Sequence, residues 1–310
     1  MDALNKESNK PLLVVIAGPT ASGKTNVAIK LAQHFNTEIL SCDSRQCYRE
    51  TNIGVAKPSP DELLLVPHHF INSHSIYDAV DVAEYERFGL QVLKKLFSTH
   101  KMAIVAGGTG LYLKALCEGI DQMPAIPDEI RNDIRTLYEK KGISGLQEKL
   151  KIIDPAYFSN GEILNPQRVM RALEISLHTG KSILTLQTKQ AQDRPFRSLY
   201  VGMDLPREIL YQRINQRVDE MMGAGLADEV RTLLTYRKLN ALQTVGYTEI
   251  FDFYDGNYTL PQAVEKIKQH TRNYAKRQMT WFKKINGMHW ISPHEISKII
   301  ILINADNRFN

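Results

Sequence analysis

Residues 18 to 25 read Gly18-Pro19-Thr20-Ala21-Ser22-Gly23-Lys24-Thr25, a G-x-x-x-x-G-K-T stretch between an apolar run, Leu12 to Ala17, and an amphipathic segment ending near Phe35. The order is the one a phosphate cradle needs. A strand delivers the loop, glycines let backbone N–H groups turn toward anionic oxygens, and the next helix points its positive dipole end at them. Lys24 adds a point charge, and Thr25 a hydroxyl for Mg²⁺ or phosphate. The octet Gly18, Pro19, Thr20, Ala21, Ser22, Gly23, Lys24 and Thr25 is therefore the expected diphosphate- or nucleotide-binding loop, ATP included. ATPases, kinases and other transferases share this cradle, so it identifies a ligand group rather than a reaction.

Around the cradle, the first 120 residues alternate strand-like and helix-like segments: Leu12 to Ala17, a helix to Phe35, Glu38 to Cys42, a helix from Val82 to Phe97, then Met102 to Ala106. Such alternation predicts a parallel α/β sheet. Between Asp121 and Arg197 the sequence becomes charged and helix-periodic, broken by Pro124, Pro127, Pro155 and Pro166. A strand-like segment, Leu199 to Leu205, then returns, followed by a long helix with Arg213 and Arg217 four residues apart on one face. The expected fold is a P-loop-type α/β core, residues 1–120 and 198–310, with an inserted, mainly helical domain at 121–197.

A chain of 310 residues, 43% hydrophobic, can bury a sizeable core. The polar start, Met1 to Lys10, and the short apolar run that follows lack the pattern of a secretory signal. No apolar stretch approaches the ~20 residues of a membrane span; Ile299 to Ile303 reads as a short buried strand or helix face. Three cysteines, Cys42, Cys47 and Cys117, form no C-x-x-C pair and indicate a reducing compartment. A cytoplasmic monomer is expected.

The net charge is only +5, but its distribution is uneven. From Lys266 to Lys284 the chain carries Lys266, Lys268, Arg272, Lys276, Arg277, Lys283 and Lys284 and no acid, interleaved with Tyr274, Trp281 and Phe282. Ile267, Tyr274 and Trp281 recur at heptad spacing and are expected to face a core, leaving most cations for a polyanion.

The segment Glu38 to Cys42 runs into Asp43-Ser44-Arg45-Gln46-Cys47-Tyr48, placing an acid at the carboxyl end of a strand read as lying beside the cradle strand. Open α/β sheets bind ligands there. Asp43 can hold Mg²⁺, act as a general base, or cap the following turn. A second glycine turn, Gly107-Gly108-Thr109-Gly110, follows Met102 to Ala106 without an acid, so it is not a Walker B strand. It is read as letting a second ligand approach the backbone. His68, His69 and His74 lie in a Pro-bearing loop without partnering cysteines, and no zinc is expected.

Together these elements resemble the tRNA dimethylallyltransferases, also called tRNA isopentenyltransferases. The resemblance runs nearly end to end. It covers Gly18 to Thr25, Asp43-Ser44 with Gln46 and Tyr48, Thr51-Asn52-Ile53-Gly54, Lys57-Pro58 and Pro67-His68-His69. Downstream it includes Gly107 to Tyr112, Asn165-Pro166-Gln167-Arg168, Arg171 to Glu174, Gly225-Leu226, Glu229-Val230, Gln243 to Tyr247 and Tyr274 to Gln278. Val55 departs from the threonine common in the family, which bears on a turn rather than on the chemistry.

The resemblance implies dimethylallyl diphosphate as donor and N6 of the adenosine 3′ of a tRNA anticodon, position 37, as acceptor. It implies a diphosphate held by the cradle, Lys24 and Mg²⁺ at Thr25, with Arg217 and Arg213 as clamps and Asp43 accepting the N6 proton. Ser44, Arg45, Gln46 and Thr109 are the residues expected to hold the extruded adenosine. Arg131, Gln167, Arg168, Val169, Met170 and Arg171 in the insert, with Lys276 and Arg277 on the basic helix, are expected to contact tRNA. A small-molecule kinase shares the cradle but would not need the basic aromatic helix. Prenylation of a free adenine nucleotide would not need the insert.

Overall fold

The computed structural model describes residues 10–188 and 190–306. Six parallel strands form one sheet: β1 (Leu12–Ala17), β2 (Ile39–Cys42), β3 (His68–His69), β4 (Met102–Gly107), β5 (Arg197–Met203) and β6 (His289–Ile291), in the order β3-β2-β4-β1-β5-β6. Strand β1 is central and buried at every residue, which explains its unbroken apolar sequence. Helices α1 (Lys24–Phe35), α2 (Pro60–Leu65), α3 (Val82–Leu96) and α4 (Gly110–Glu118) connect the first strands. After β5 come α9 (Arg207–Gly223), α10 (Leu226–Thr232), α11 (Tyr247–Tyr254), α12 (Leu260–Phe282) and α13 (Ile296–Asp306). Ile299 and Ile303 are thus one buried face of a helix.

The register aligns the strand ends. Ala17 pairs with Gly107, and Gly107 with Cys42, so the loops after β1, β4 and β2 leave the sheet at one level. Strand β4 therefore lies between the cradle strand and the strand that delivers Asp43, which corrects the expectation that the two are neighbours. Two strand spacings, about 10 Å, separate them. Glycine at 107 is required by this packing, because a Cβ there would stand 2.0 Å from the Cys42 carbonyl oxygen.

Residues Gly119–Gln192 form a second compact unit, made of α5 (Asp128–Ile153), α6 (Pro155–Asn160), α7 (Pro166–Thr179) and α8 (Ile183–Leu186). Its core is its own, with Ile134, Leu146, Leu150, Val169, Ala172 and Leu173 all fully buried. Gly142, at φ 61°, breaks α5 into two segments. Asn165 caps α7 by accepting from the Gln167 and Arg168 N–H groups, and Pro166 fills the first turn, where its missing donor costs nothing. The unit ends earlier than the charge pattern suggested. Arg194 pairs with Glu86 and donates to the Ala115 carbonyl at 2.6 Å, while Arg197 already belongs to β5.

Candidate active site

The cradle begins where β1 ends, and its conformation is set by two residues at positive φ, Ala21 (62°) and Gly23 (89°). Ser22 N–H closes on the Pro19 carbonyl at 3.3 Å, and Lys24 Nζ reaches the same oxygen at 3.1 Å. Ser22 Oγ is buried without a hydrogen-bond partner among the described residues. An orphaned hydroxyl in a cradle loop suits an oxyanion or a hydrated ion. Burial lowers the Lys24 pKa from 10.5 to about 8; Asp43 opposes the shift and Arg217 adds to it.

Lys24, Thr20, Thr25, Asp43 and Arg217 line one cavity of about 610 Å³ at the carboxyl edge of the sheet. Arg217 projects from α9, with Nη1 3.5 Å from Thr20 Oγ1, and burial pushes its pKa down. Arg213 does not join it. Its guanidinium instead meets His294 Nε2 at 3.3 Å and lies 3.7 Å from where a Gly23 Cβ would stand. Beyond the cations the lining turns apolar, with Ile214, Val218, Met221 and Ile267.

Asp43 fills one of the three roles read for that position, the turn cap. Its Oδ1 accepts the Arg45 and Gln46 N–H groups at 2.8 and 3.3 Å, capping the turn, while the carboxylate also lines the cavity. Oδ2 accepts no protein hydrogen bond among the described residues. The neighbouring side chains are more occupied than their sequence suggested. Arg45 donates to the Asn240 and Gln243 carbonyls at 2.6 and 3.2 Å, and Gln46 Nε2 to those of Val55 and Ala56 at 3.2 and 2.9 Å. Both line the cavity with polar groups already used to hold its walls. Ser44 also lines it, and its N–H is held by Thr109 Oγ1 at 3.1 Å.

Of the second glycine turn, Gly107 lines the cavity, while the space over Gly108 and Gly110 is taken by the protein itself. A Cβ at Gly108 would stand 2.2 Å from Gln278 Nε2, and one at Gly110 2.3 Å from Trp281 Cδ1, so side chains of α12 fill the space. Trp281 is 36% exposed against that turn and Tyr274 is half-buried. Ile267 is buried as expected, and the rest of the buried stripe of α12 is Ala263, Ala275, Gln278 and Phe282 rather than the other heptad positions.

Two residues that local sequence patterns did not single out organise the site. Gln278 is 6% exposed; its Oε1 accepts from Thr20 N–H and its Nε2 donates to the Gly108 carbonyl, both at 2.9 Å. It thus ties the cradle and the glycine turn to α12. Glu229 accepts three successive N–H groups, Asn52 at 3.1 Å, Ile53 at 2.7 Å and Gly54 at 3.0 Å, and the Tyr247 hydroxyl at 2.5 Å. That clamp fixes the wall formed by Gly54, Val55 and Ala56. The only signal for either was membership of a motif far away in the chain.

On α12, Lys276 and Arg277 are exposed, and Arg277 lies over the Tyr274 ring, 5.7 Å from its centroid. Lys268 pairs with Asp219 at 2.7 Å and Arg272 with Asn215 at 2.6 Å, so these two cations are held by α9. Within the insert, Arg168 pairs with Glu162, Arg171 with Glu174 at 3.2 Å and Arg131 with Asp128 at 3.8 Å. Surface pairs of this kind contribute about 0–1 kcal/mol and yield readily to a phosphate. Val169 is different: at 0% exposure it belongs to the core of the insert and cannot reach an RNA, and Met170 is half-buried against that core. Of the histidines, His68 and His69 form edge strand β3 rather than a loop, and His69 Nε2 meets Glu38 at 2.5 Å.

The sequence profile described as IPP transferase matches residues 46–285. The tRNA dimethylallyltransferase 1 of Bacteroides thetaiotaomicron is 43% identical over 297 residues, covering 96% of each chain. That of Christiangramia forsetii is 46% identical, covering 93% of this chain and 95% of its own. The crystal structure of the full-length tRNA isopentenylpyrophosphate transferase of Bacillus halodurans superposes with a TM-score of 0.72 at 33% identity, covering 96% of this chain and 97% of its own. A eukaryotic dimethylallyltransferase captured acting on tRNA gives 0.77 at 27% identity, covering 96% and 79%. With the cradle, the cations and the carboxylate on one cavity, and with relatives this similar over nearly the whole length, the chain belongs to the IPP transferase family.

Proposed function

We propose that this chain transfers the dimethylallyl group of dimethylallyl diphosphate to N6 of the adenosine at tRNA position 37, 3′ of the anticodon, yielding N6-(dimethylallyl)adenosine and diphosphate. The observation that carries this reading is the cavity, which is cationic at the cradle, apolar along Ile214, Val218, Met221 and Ile267, and carboxylate-bearing at Asp43. The allylic C–O bond breaks with its electron pair on the diphosphate, where Lys24, Arg217 and the cradle N–H groups stabilise the growing charge. The N6–C bond forms, and the N6 proton passes to Asp43. Reaching N6 requires the base to leave its stack, at a cost of a few kcal/mol that contacts in the pocket offset.

Magnesium fits this cradle sparingly. Among the described residues no group of three or more His, Cys, Asp or Glu could hold a metal ion. Thr25 at the start of α1 would supply one oxygen, the other ligands coming from donor phosphates and water, as Mg²⁺ prefers. The ion would neutralise leaving-group charge. No helix among the described residues is long and apolar enough to cross a membrane. Gln167, Arg168 and Arg171 at the start of α7, with Arg131, are the insert's candidates for the anticodon stem-loop.

The direct test is isotopically labelled dimethylallyl diphosphate with unmodified tRNA, with ATP and AMP as competitors. Label in the RNA at position 37 is expected; label in AMP instead, or transfer of phosphate from ATP, would overturn the reading. A pH profile probes the cradle. Only protonated Lys24 attracts the diphosphate, so kcat/KM for the donor should fall above about pH 8, with that falling limb lost in Lys24→Arg. Stability carries the opposite sign: between pH 8 and 10.5 the unfolded chain holds a proton that the native state lacks, so stability contributed by this group rises with pH. For the RNA side, tRNA affinity should fall steeply with salt. Removing charge at Lys276 and Arg277 should make the log–log slope shallower by about 0.7 to 0.9 per lost phosphate contact, and an unchanged slope would leave these cations solvated only.

A further inference from the structure

Helix α11 is capped at Gly246, and its third residue, Glu249, is a carboxylate at 3% exposure. Its Oε2 accepts the Gly246 N–H at 2.7 Å and the Thr248 hydroxyl at 3.0 Å, which completes the cap. Its Oε1 is used differently, facing His270 Nδ1 on α12 at 2.5 Å. An ionised carboxylate can only accept, so Nδ1 carries the proton and the ring is held in one orientation. The His270 side chain is 45% exposed yet lines the cavity, which puts it at the rim. Asn273 and Arg277, three and seven residues further on, share its helix face and line the same cavity. Among the described residues Nε2 has no partner. The prenyl-transfer chemistry makes no use of this couple, and capping alone would not require Oε1.

We propose that His270, oriented by Glu249, reads the ribose of the RNA acceptor, with Nε2 hydrogen-bonded to the 2′-hydroxyl of a nucleotide flanking the modified adenosine. The inference rests on the tRNA reading above and extends it to the identity of the sugar. A neutral ring presents a lone pair at Nε2, and a protonated ring presents N–H. Phosphate oxygens, which only accept, match the second form alone. The 2′-hydroxyl donates and accepts, so it matches both, and it is the group that distinguishes RNA from DNA. Glu249 is a positioning residue in this scheme, acting through the imidazole.

The test uses anticodon stem-loop RNA, all-ribose or with a single 2′-deoxy nucleotide at each position flanking the target adenosine. His270→Ala should raise KM for the all-ribose RNA about tenfold, the size of one lost hydrogen bond, and leave KM for dimethylallyl diphosphate where it was. At one flanking position the 2′-deoxy substitution should raise the wild-type KM by a similar factor and have no further effect in His270→Ala, the coupling expected of partners. Glu249→Gln, whose amide oxygen can still accept the Gly246 N–H, should show part of the RNA effect with the same donor KM. An unchanged RNA KM in His270→Ala, or 2′-deoxy effects equal in variant and wild type at every position, would overturn the proposal. A parallel rise in donor KM with a lowered melting temperature would also overturn it, as the mark of a purely structural pair. Wild-type transfer to the all-ribose RNA is the reference: failure there overturns the tRNA reading itself, while transfer there without a selective His270→Ala effect overturns this inference alone.

Discussion

Asp43→Asn is expected to slow single-turnover prenyl transfer by roughly 10²- to 10⁴-fold, the range of a lost general base. Donor and tRNA should both still bind. The amide keeps one oxygen where Oδ1 accepts the Arg45 and Gln46 N–H groups, so the turn that delivers Ser44, Arg45 and Gln46 to the cavity is retained. What it cannot do is take the N6 proton. Asp43→Ala removes the cap as well, and should add a loss of stability of about 0.5–2 kcal/mol, typical of a cap, to the same loss of rate. Comparing the two by rapid quench and thermal unfolding separates the roles of the two oxygens. A near-normal rate in Asp43→Asn with both substrates bound would mean that the carboxylate only positions the adenosine.

Arg217→Ala should lower kcat/KM for the donor by roughly 10²- to 10³-fold, the cost of removing one electrostatic stabiliser of a developing charge. Among the described residues no carboxylate lies within ion-pair distance of Arg217, and burial depresses its pKa. A partly desolvated cation without a carboxylate partner is costly to keep, and the cost is offset when an anion arrives. Arg217→Lys should recover only part of the activity, since an ammonium cannot reproduce the planar fork. The tRNA dissociation constant, measured without donor, should be nearly unaltered in both variants. Loss of tRNA binding with normal donor kinetics would reverse the assignment.

Much of the site was legible because it is local. The cradle, the strand before it and the helix after it are adjacent in sequence, so apolar runs, glycines and helix periodicity suffice to place them. The position of Asp43 at a strand end could likewise be read from the short run Ile39–Cys42. What surrounds that acid could not. Arg45 and Gln46 look like substrate contacts by residue type, yet Arg45 Nη1 and Nη2 and Gln46 Nε2 donate to carbonyls at Asn240, Gln243, Val55 and Ala56. Side-chain chemistry alone does not say whether a donor meets a ligand or the protein's own backbone.

From sequence alone came the phosphate cradle, the alternating α/β core, the helical insert and the basic helix α12, because each is encoded by periodicity, caps and composition within a few turns of chain. Tertiary structure alone decided that β4 separates the cradle from Asp43, that Gln278 and Trp281 fill the space opened by Gly108 and Gly110, and that Val169 is core. It also brought Glu229 to Asn52, Ile53 and Gly54, 175 to 177 residues away. Strand order and cross-chain hydrogen bonds are chosen by packing and by the need to satisfy buried polar groups, and neither leaves a periodic trace in the residues that meet.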